Sequence, residues 1–306
     1  MAATEEDRQK ILQELKEKND MILSIKGSKI ETQVVKYYAT HKANVAEFDK
    51  EGYLPLHHAC EAQANATIID KLLEIYPEGA KLVTKGEGKG DLPLHLACMK
   101  SVTGDTAKAL AARIESVDLM IEAMVNAYPE ACTIKQRGAL PLHLACAHQF
   151  PLGAVTTLIK QHPDACKVLA EGSGNLPLHL ACLKGSDERV IMLLVQTYPD
   201  ACKTKNERGN LPIHFAAAKH ASEAIVRCLL AAYPEGAQQK DEAGKLPLQI
   251  ASEKQASEAV VRAINEAFPD ASRMKNSKGR LPCRMAFETN GGDGVMAALL
   301  ESYPDG

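Results

Sequence analysis

Apolar residues fall along this chain in short bursts, separated by polar stretches that contain glycine, and the bursts follow helical spacing rather than strict alternation. One segment shows the pattern well. Leu178, Ala181 and Cys182 follow Pro177, a polar pause comes at Gly185-Ser186-Asp187, and Val190, Ile191, Leu193 and Leu194 form the next apolar face. Proline suits the first helical position because its missing N–H would be unpaired there anyway, so the sequence predicts a helix opening at Pro177. The second helix should stop near Tyr198, since Pro199 pushes the residue before it out of the α region. The following stretch, Lys203 to Asn210, is polar, contains Gly209 and predicts a hairpin-like loop. Each helix spans about eight to ten residues, short of the ~12–15 needed to persist alone in water.

This helix–turn–helix–loop text repeats. Leu-Pro, three further residues and then Ala recur with the prolines at Pro55, Pro93, Pro141, Pro177, Pro212, Pro247 and Pro282. The last three intervals are each 35 residues. A second landmark, aromatic-Pro-acidic, falls at Tyr76, Tyr128, Tyr198, Tyr233, Phe268 and Tyr303, with His162 in the aromatic place once. The proline-to-aromatic distance is 21 residues in every unit but the second, where it is 35, an insertion of 14 residues. Units too short to bury an apolar face alone, repeated in register, predict a stack held by nearest-neighbour contacts.

The segments Gly52-Tyr-Leu-Pro-Leu-His-His-Ala-Cys60, Gly174-Asn-Leu-Pro-Leu-His-Leu-Ala-Cys182 and Gly209-Asn-Leu-Pro-Ile-His-Phe-Ala-Ala217 resemble the ankyrin repeat signature Gly-x-Thr-Pro-Leu-His-x-Ala-Ala. The resemblance covers residues 46–306 as seven repeats. It implies an all-α fold, an ankyrin-like α-solenoid of stacked helix-turn-helix repeats with hairpin-like loops. Two departures stand out. The family's capping Thr is Leu in all seven units (Leu54, Leu92, Leu140, Leu176, Leu211, Leu246, Leu281), which forgoes an N-cap usually worth about 1 kcal/mol. Tyr-Pro-Glu-Gly-Ala-like text replaces the usual Gly-Ala after the second helix, and the His gives way to Gln249 and Arg284 in the last two units.

Residues 1–45 are expected to form an N-terminal helix and a helical capping half repeat. Thr4 and Asp7 can cap a helix carrying Ile11, Leu15, Ile22 and Ile25, with Val34 to Thr40 as an outer helix. In the second unit, Asp105 can cap a helix running through Ala109, Leu110, Ile114 and Val117 into Met120, and 14 extra residues amount to about four whole turns. That longer outer helix, around residues 101–116, is either a second docking feature or a neutral insertion. The sequence stops at Gly306 directly after an outer helix; either further repeats follow or Arg280 and Arg284 are the concession to solvent.

Composition narrows the function. The chain is 45% hydrophobic but only 4% aromatic, with no Trp, which suits many small helical units. Its formal net charge of −3 gives no strong field to draw it to nucleic acid or anionic lipid, and the landmark takes six of the 13 aromatics, leaving too few for a base-stacking platform. The charged start and the lack of a long apolar stretch argue against a signal peptide or membrane span, so a cytoplasmic, or alternatively nuclear, monomer is expected. Nine cysteines without a secretion signal read as reduced core residues.

His-x-x-Cys occurs at His57/Cys60, His95/Cys98, His143/Cys146 and His179/Cys182. One unit offers two ligands where a structural zinc needs four, and helices about 8 to 10 Å apart cannot converge equivalent pairs on one ion. Cys132, Cys166 and Cys202, with Lys135 and Lys167 close by in sequence, supply the alternative reading, a cysteine-based metal-binding or redox-sensing protein. Gly86 to Gly90 and Asn290 to Gly294 read as flexible turns rather than phosphate loops. No catalytic, cofactor-binding or metal residue is assigned and no enzyme activity is expected.

The resemblance implies instead a non-catalytic scaffold or adaptor that binds a partner protein on a concave surface of inner helices and loop tips. The tip residues are Tyr53, Asp91, Ala139, Asn175, Asn210, Lys245 and Arg280. A second column, two residues after the Ala-Cys pair, reads Ala62, Lys100, His148, Lys184, Lys219, Lys254 and Thr289, and its basic members predict contact with an acidic segment of the partner.

Overall fold

A computed structural model describes residues 45–49, 52–85, 90–102, 106–219 and 221–301. The expected N-terminal cap, the cap at Asp105, Gly86 to Lys89 and the landmark Tyr303 lie outside them. Among the described residues the fold is all-α, with fourteen α-helices and no strand, arranged as seven inner–outer helix pairs. The chain divides into two compact units, Met1–Ala131 and Cys132–Gly306.

Every inner helix opens at the predicted proline, behind a leucine held in the extended conformation that a following proline favours. Leu54, Leu92, Leu140, Leu176, Leu211 and Leu246 are all buried. Burying one is worth about 1.5 to 3 kcal/mol, more than the ~1 kcal/mol of the threonine cap it replaces. Five of the seven described outer helices have side-chain caps: Asn65, Thr106, Asp187, Ser222 and Ser257 each accept a first-turn N–H. These helices end at the residue before the landmark proline, and a short 3₁₀ turn such as Pro199–Lys203 follows. The landmark ring folds over that turn: a Cβ at Gly79 or Gly236 would come within 3.2 or 3.1 Å of the ring of Tyr76 or Tyr233.

In the first unit the inner helices Pro55–Glu61 and Pro93–Ala97 pack together, as do the outer helices Ala66–Ile75 and Ala107–Ala127. The outer helix of the second pair runs 21 residues, against 10 in its neighbour, as the insertion predicts. Its cap is Thr106, whose side chain accepts from the Ala109 N–H. All its buried residues, from Val117 to Val125, lie in the second half, so the added turns lengthen the helix without disturbing its packed stripe.

The second unit repeats one arrangement five times, inner helix on inner helix and outer on outer. Between pairs the loop closes as a hairpin by Asn206 N–H to Asn210 O, Asp241 N–H to Lys245 O and Asn276 N–H to Arg280 O. The Asn206 and Asn276 carboxamide oxygens accept two further tip N–H groups each, and the Asp241 carboxylate one, fixing the turn before the glycine. Successive loops are joined as well, Glu171 N–H donating to Gly138 O, Glu207 N–H to Ser173 O and Glu242 N–H to Arg208 O. Asn290 to Gly292 is a turn, but Asp293 and Gly294 belong to the last outer helix rather than to a flexible loop.

Candidate functional site

The repeated histidine is a structural clamp. Its position, third in the inner helix, places Nδ1 under the backbone N–H of the leucine before the proline: Leu54 N–H donates to His57, Leu140 to His143, Leu176 to His179 and Leu211 to His214, at 2.9 to 3.2 Å. With Nδ1 accepting, the proton sits on Nε2, which donates to a loop carbonyl, Leu82, Val168, Asn210 or Gln239, at 2.9 to 3.1 Å. Burial holds the imidazoles of His57, His143 and His179 down at about 4, with the carbonyl bond partly opposing it, and lowers His214 in the same way. Gln249 reproduces the clamp, its oxygen accepting from Leu246 N–H and its amide donating to Met274 O. Arg284, which has no acceptor, pairs with Glu288 instead.

This geometry bears on the zinc and redox readings. In His57, His143 and His179 both ring nitrogens are committed, so no lone pair is left for a metal. The partner thiols Cys60, Cys146 and Cys182 are fully enclosed, and burial pushes all three well above the usual range. Burial likewise lifts Cys132 and Cys166 to about 11 and Cys202 to about 12, the opposite of the stabilised thiolate a sensor needs. Lys167 lowers Cys166 less than burial and Asp164 raise it. Among the described residues no group of three or more metal-ligating side chains converges.

The residues proposed to meet a partner divide sharply. Tyr53 and Asp91 are buried; the Tyr53 ring stacks on His58 at 4.9 Å, and the Asp91 backbone is tied to Thr84. Asn175 is buried too, its carboxamide oxygen taking a 2.8 Å bond from Asn206. Of the three, Asn175 joins its loop to the next. Asn210 is half-buried and bonds Arg208 O. Lys245 and Arg280 each reach a carboxylate on the inner helix that follows, Glu253 and Glu288, both at 2.6 Å. The column residues behave differently. Lys184, Lys219 and Lys254 stand exposed at the C-terminal end of three successive inner helices of the second unit, with His148 half-buried in the same register. Burial and then the Lys184 charge lower His148. Lys100, in the first unit, is exposed at the equivalent place.

Sequence reasoning missed the residue beside this column. Gln63, Gln149 and Gln255 adopt left-handed backbone (φ 52°, 57° and 56°), an unusual conformation for a residue other than glycine. Their amides donate to the next repeat at the column position: Gln63 to Lys100 O at 2.5 Å, Gln149 to Lys184 O at 2.6 Å and Gln255 to Thr289 O at 2.5 Å. The signal was present, since all three stand eight residues after a repeat proline.

No helix among the described residues is long and apolar enough to cross a membrane. The family described as ankyrin repeats (many copies) matches residues 194–251. Among solved structures, the ankyrin repeat domain of Bcl-3, described as a unique member of the IkappaB protein family, superposes with a TM-score of 0.53 at 20% identity over 82% of this chain and 99% of that chain. A search of curated proteins finds no match at the sequence level. Ankyrin repeats in general mediate contacts between proteins and are typically without catalytic activity. The match identifies ankyrin repeats over residues 194–251, and the repeat period and the paired helices behind each Leu-Pro give the rest of the described chain the ankyrin-repeat fold.

Proposed function

We propose that the protein is a non-enzymatic scaffold or adaptor that recognises another protein reversibly through the inner-helix ends and loops of its second unit, and that the partner presents an acidic segment. The observation carrying this reading is the row Lys184, Lys219 and Lys254. The outer-helix arginines Arg227 and Arg262 are neutralised nearby, Arg227 by Glu223 and Glu266, Arg262 by Glu258 and Glu301. None of the three lysines forms a direct ion pair among the described residues, although Lys254 lies close enough to Glu253 to lower it. The helix dipole favours a cation at each of these helix ends, and without a direct ion pair the ammonium groups are available to a ligand. The enclosed thiols and fully bonded imidazoles support the non-catalytic reading over a metal or redox role. The protein is placed in the cytosol or nucleus, acting as a monomer.

The test is an affinity capture with the intact chain and with a Lys184→Glu/Lys219→Glu/Lys254→Glu variant. The partner's affinity should drop about tenfold or more, with a weaker dependence on salt. Equal affinity and an equal salt slope for both proteins would remove the row from recognition.

A further inference from the structure

A second row of cations lies on the loops of the same unit. Six residues after each landmark proline the chain leaves its 3₁₀ turn in extended form, and this position reads Lys135, Leu169, Lys205, Lys240 and Lys275. All five are exposed. In the fifth loop of the chain the alternation of the extended backbone is explicit: Lys205 projects to solvent between half-buried Thr204 and buried Asn206. Lys135 is paired with Glu171 at 3.2 Å. Lys205, Lys240 and Lys275 have no carboxylate partner among the described residues.

The loops and inner helices share one surface, because the loop-tip side chains of Lys245 and Arg280 reach Glu253 and Glu288 on the helices. The Lys205 charge is also felt at His214, on the inner helix that follows it. Three consecutive repeats therefore present unpaired lysines from the loop, and three present them from the helix end, in the same register.

We infer that the two lysine rows form one docking face for an acidic segment of a partner protein, bound in polyproline II conformation with a carboxylate at every third residue. This rests on the reading that the face binds a protein, and it adds the shape of what is bound. Packed inner helices repeat about every 8 to 10 Å. A polyproline II chain returns to the same face after three residues, a rise of about 9 Å. A β-strand does so after two residues, at about 6.7 Å, and an α-helix after one turn, at about 5.4 Å, or after two, at about 10.5 Å, on either side of that range. Nucleic-acid charges are spaced much more closely. The loop row turns apolar at Leu169, which is 45% exposed, so the acidic run ends there and an apolar residue of the segment meets it.

The experiment uses the full chain and fluorescein-labelled peptides in fluorescence anisotropy. One peptide has four tandem Glu-Pro-Ser triplets; a second has the same composition with its four Glu consecutive; an oligo-dT of similar charge is the third probe. The periodic peptide should bind about tenfold more tightly than the permuted one, and Lys205→Glu/Lys240→Glu/Lys275→Glu should abolish that preference while the helical circular dichroism is kept. Equal binding of the two peptides, no binding of the periodic one, stronger binding of oligo-dT, or indifference to the charge reversal each overturns the inference. If reversing Lys184, Lys219 and Lys254 still releases the natural partner while the periodic peptide is not preferred, the docking mode fails and protein recognition through the helix row stands. If neither triple reversal affects the partner, both fall.

Discussion

The inner-helix histidine sets how stability responds to acid. Buried neutral imidazoles refuse protons until about pH 4, whereas unfolded chains accept them near 6.5. Between those values the unfolded state holds more protons, so the stabilisation is complete above about pH 6.5 and is lost as the pH falls toward 4. Gln249 shows that the same two hydrogen bonds can be made without a titrating group. His179→Gln should therefore keep stability at pH 7 within about 1 kcal/mol while flattening the loss between about pH 6.5 and 4. Urea midpoints across that range check this, and an unchanged pH slope would mean that His179 does not titrate as described. His179→Ala strands Leu176 N–H and Asn210 O and should cost about 2 to 4 kcal/mol. The sequence argued only that this histidine, with its cysteine, does not hold a structural zinc. It did not reveal that Gln249 keeps the clamp, because equivalence of an imidazole and a carboxamide is a matter of where two atoms sit. Nor did it show Tyr53, Asp91 and Asn175 as buried: their polarity and place at a turn suggested solvent, while Asn175 takes a bond from Asn206 of the next loop and Tyr53 stacks on His58.

Among the elements, helix starts and stops were the most legible, since proline acts through sterics that depend only on adjacent residues. The loops were less so. The tips at Asn206, Asp241 and Asn276 are held by those side chains, and several loops also by a backbone bond to the loop before, which has no local signature. Gly174 has φ +61°, and a Cβ there would meet Glu207 N at 2.8 Å. Gly244 has a similar φ of +74° with open space around it. Gly244→Ala should cost only the left-handed backbone penalty, about 1 to 2 kcal/mol, and Gly174→Ala about 1 kcal/mol or more beyond that, because backbone must move. Thermal melts of the two variants separate conformational strain from collision; equal losses would show that loop-to-loop contact contributes nothing. In the long helix Ala107–Ala127 the insertion was visible as a break in the period, while its start at Thr106 depended on which neighbouring side chain reached the Ala109 N–H.

For the whole molecule, the regular period of the second unit makes a strong prediction. Deleting residues 212–246 joins Leu211 to Pro247 and removes one 35-residue repeat in register. Because each pair touches only its neighbours, the shortened protein should fold with the same helical signature per residue and lose the contribution of one repeat and one interface. Circular dichroism and a urea titration test it; collapse to an unfolded or aggregated chain would show that these repeats are not interchangeable. The deletion also takes out Lys219 and Lys240, so a ligand spanning the basic face should bind more weakly than the fold alone would suggest. The glutamines with left-handed backbone bear on that ligand as well. Gln149 grips the main chain at Lys184 from the repeat before it, so the backbone that carries this ammonium is tied to its neighbour rather than drifting with its own helix end. A ruler with a fixed first mark measures its guest in advance, and little order remains to be imposed when the two meet.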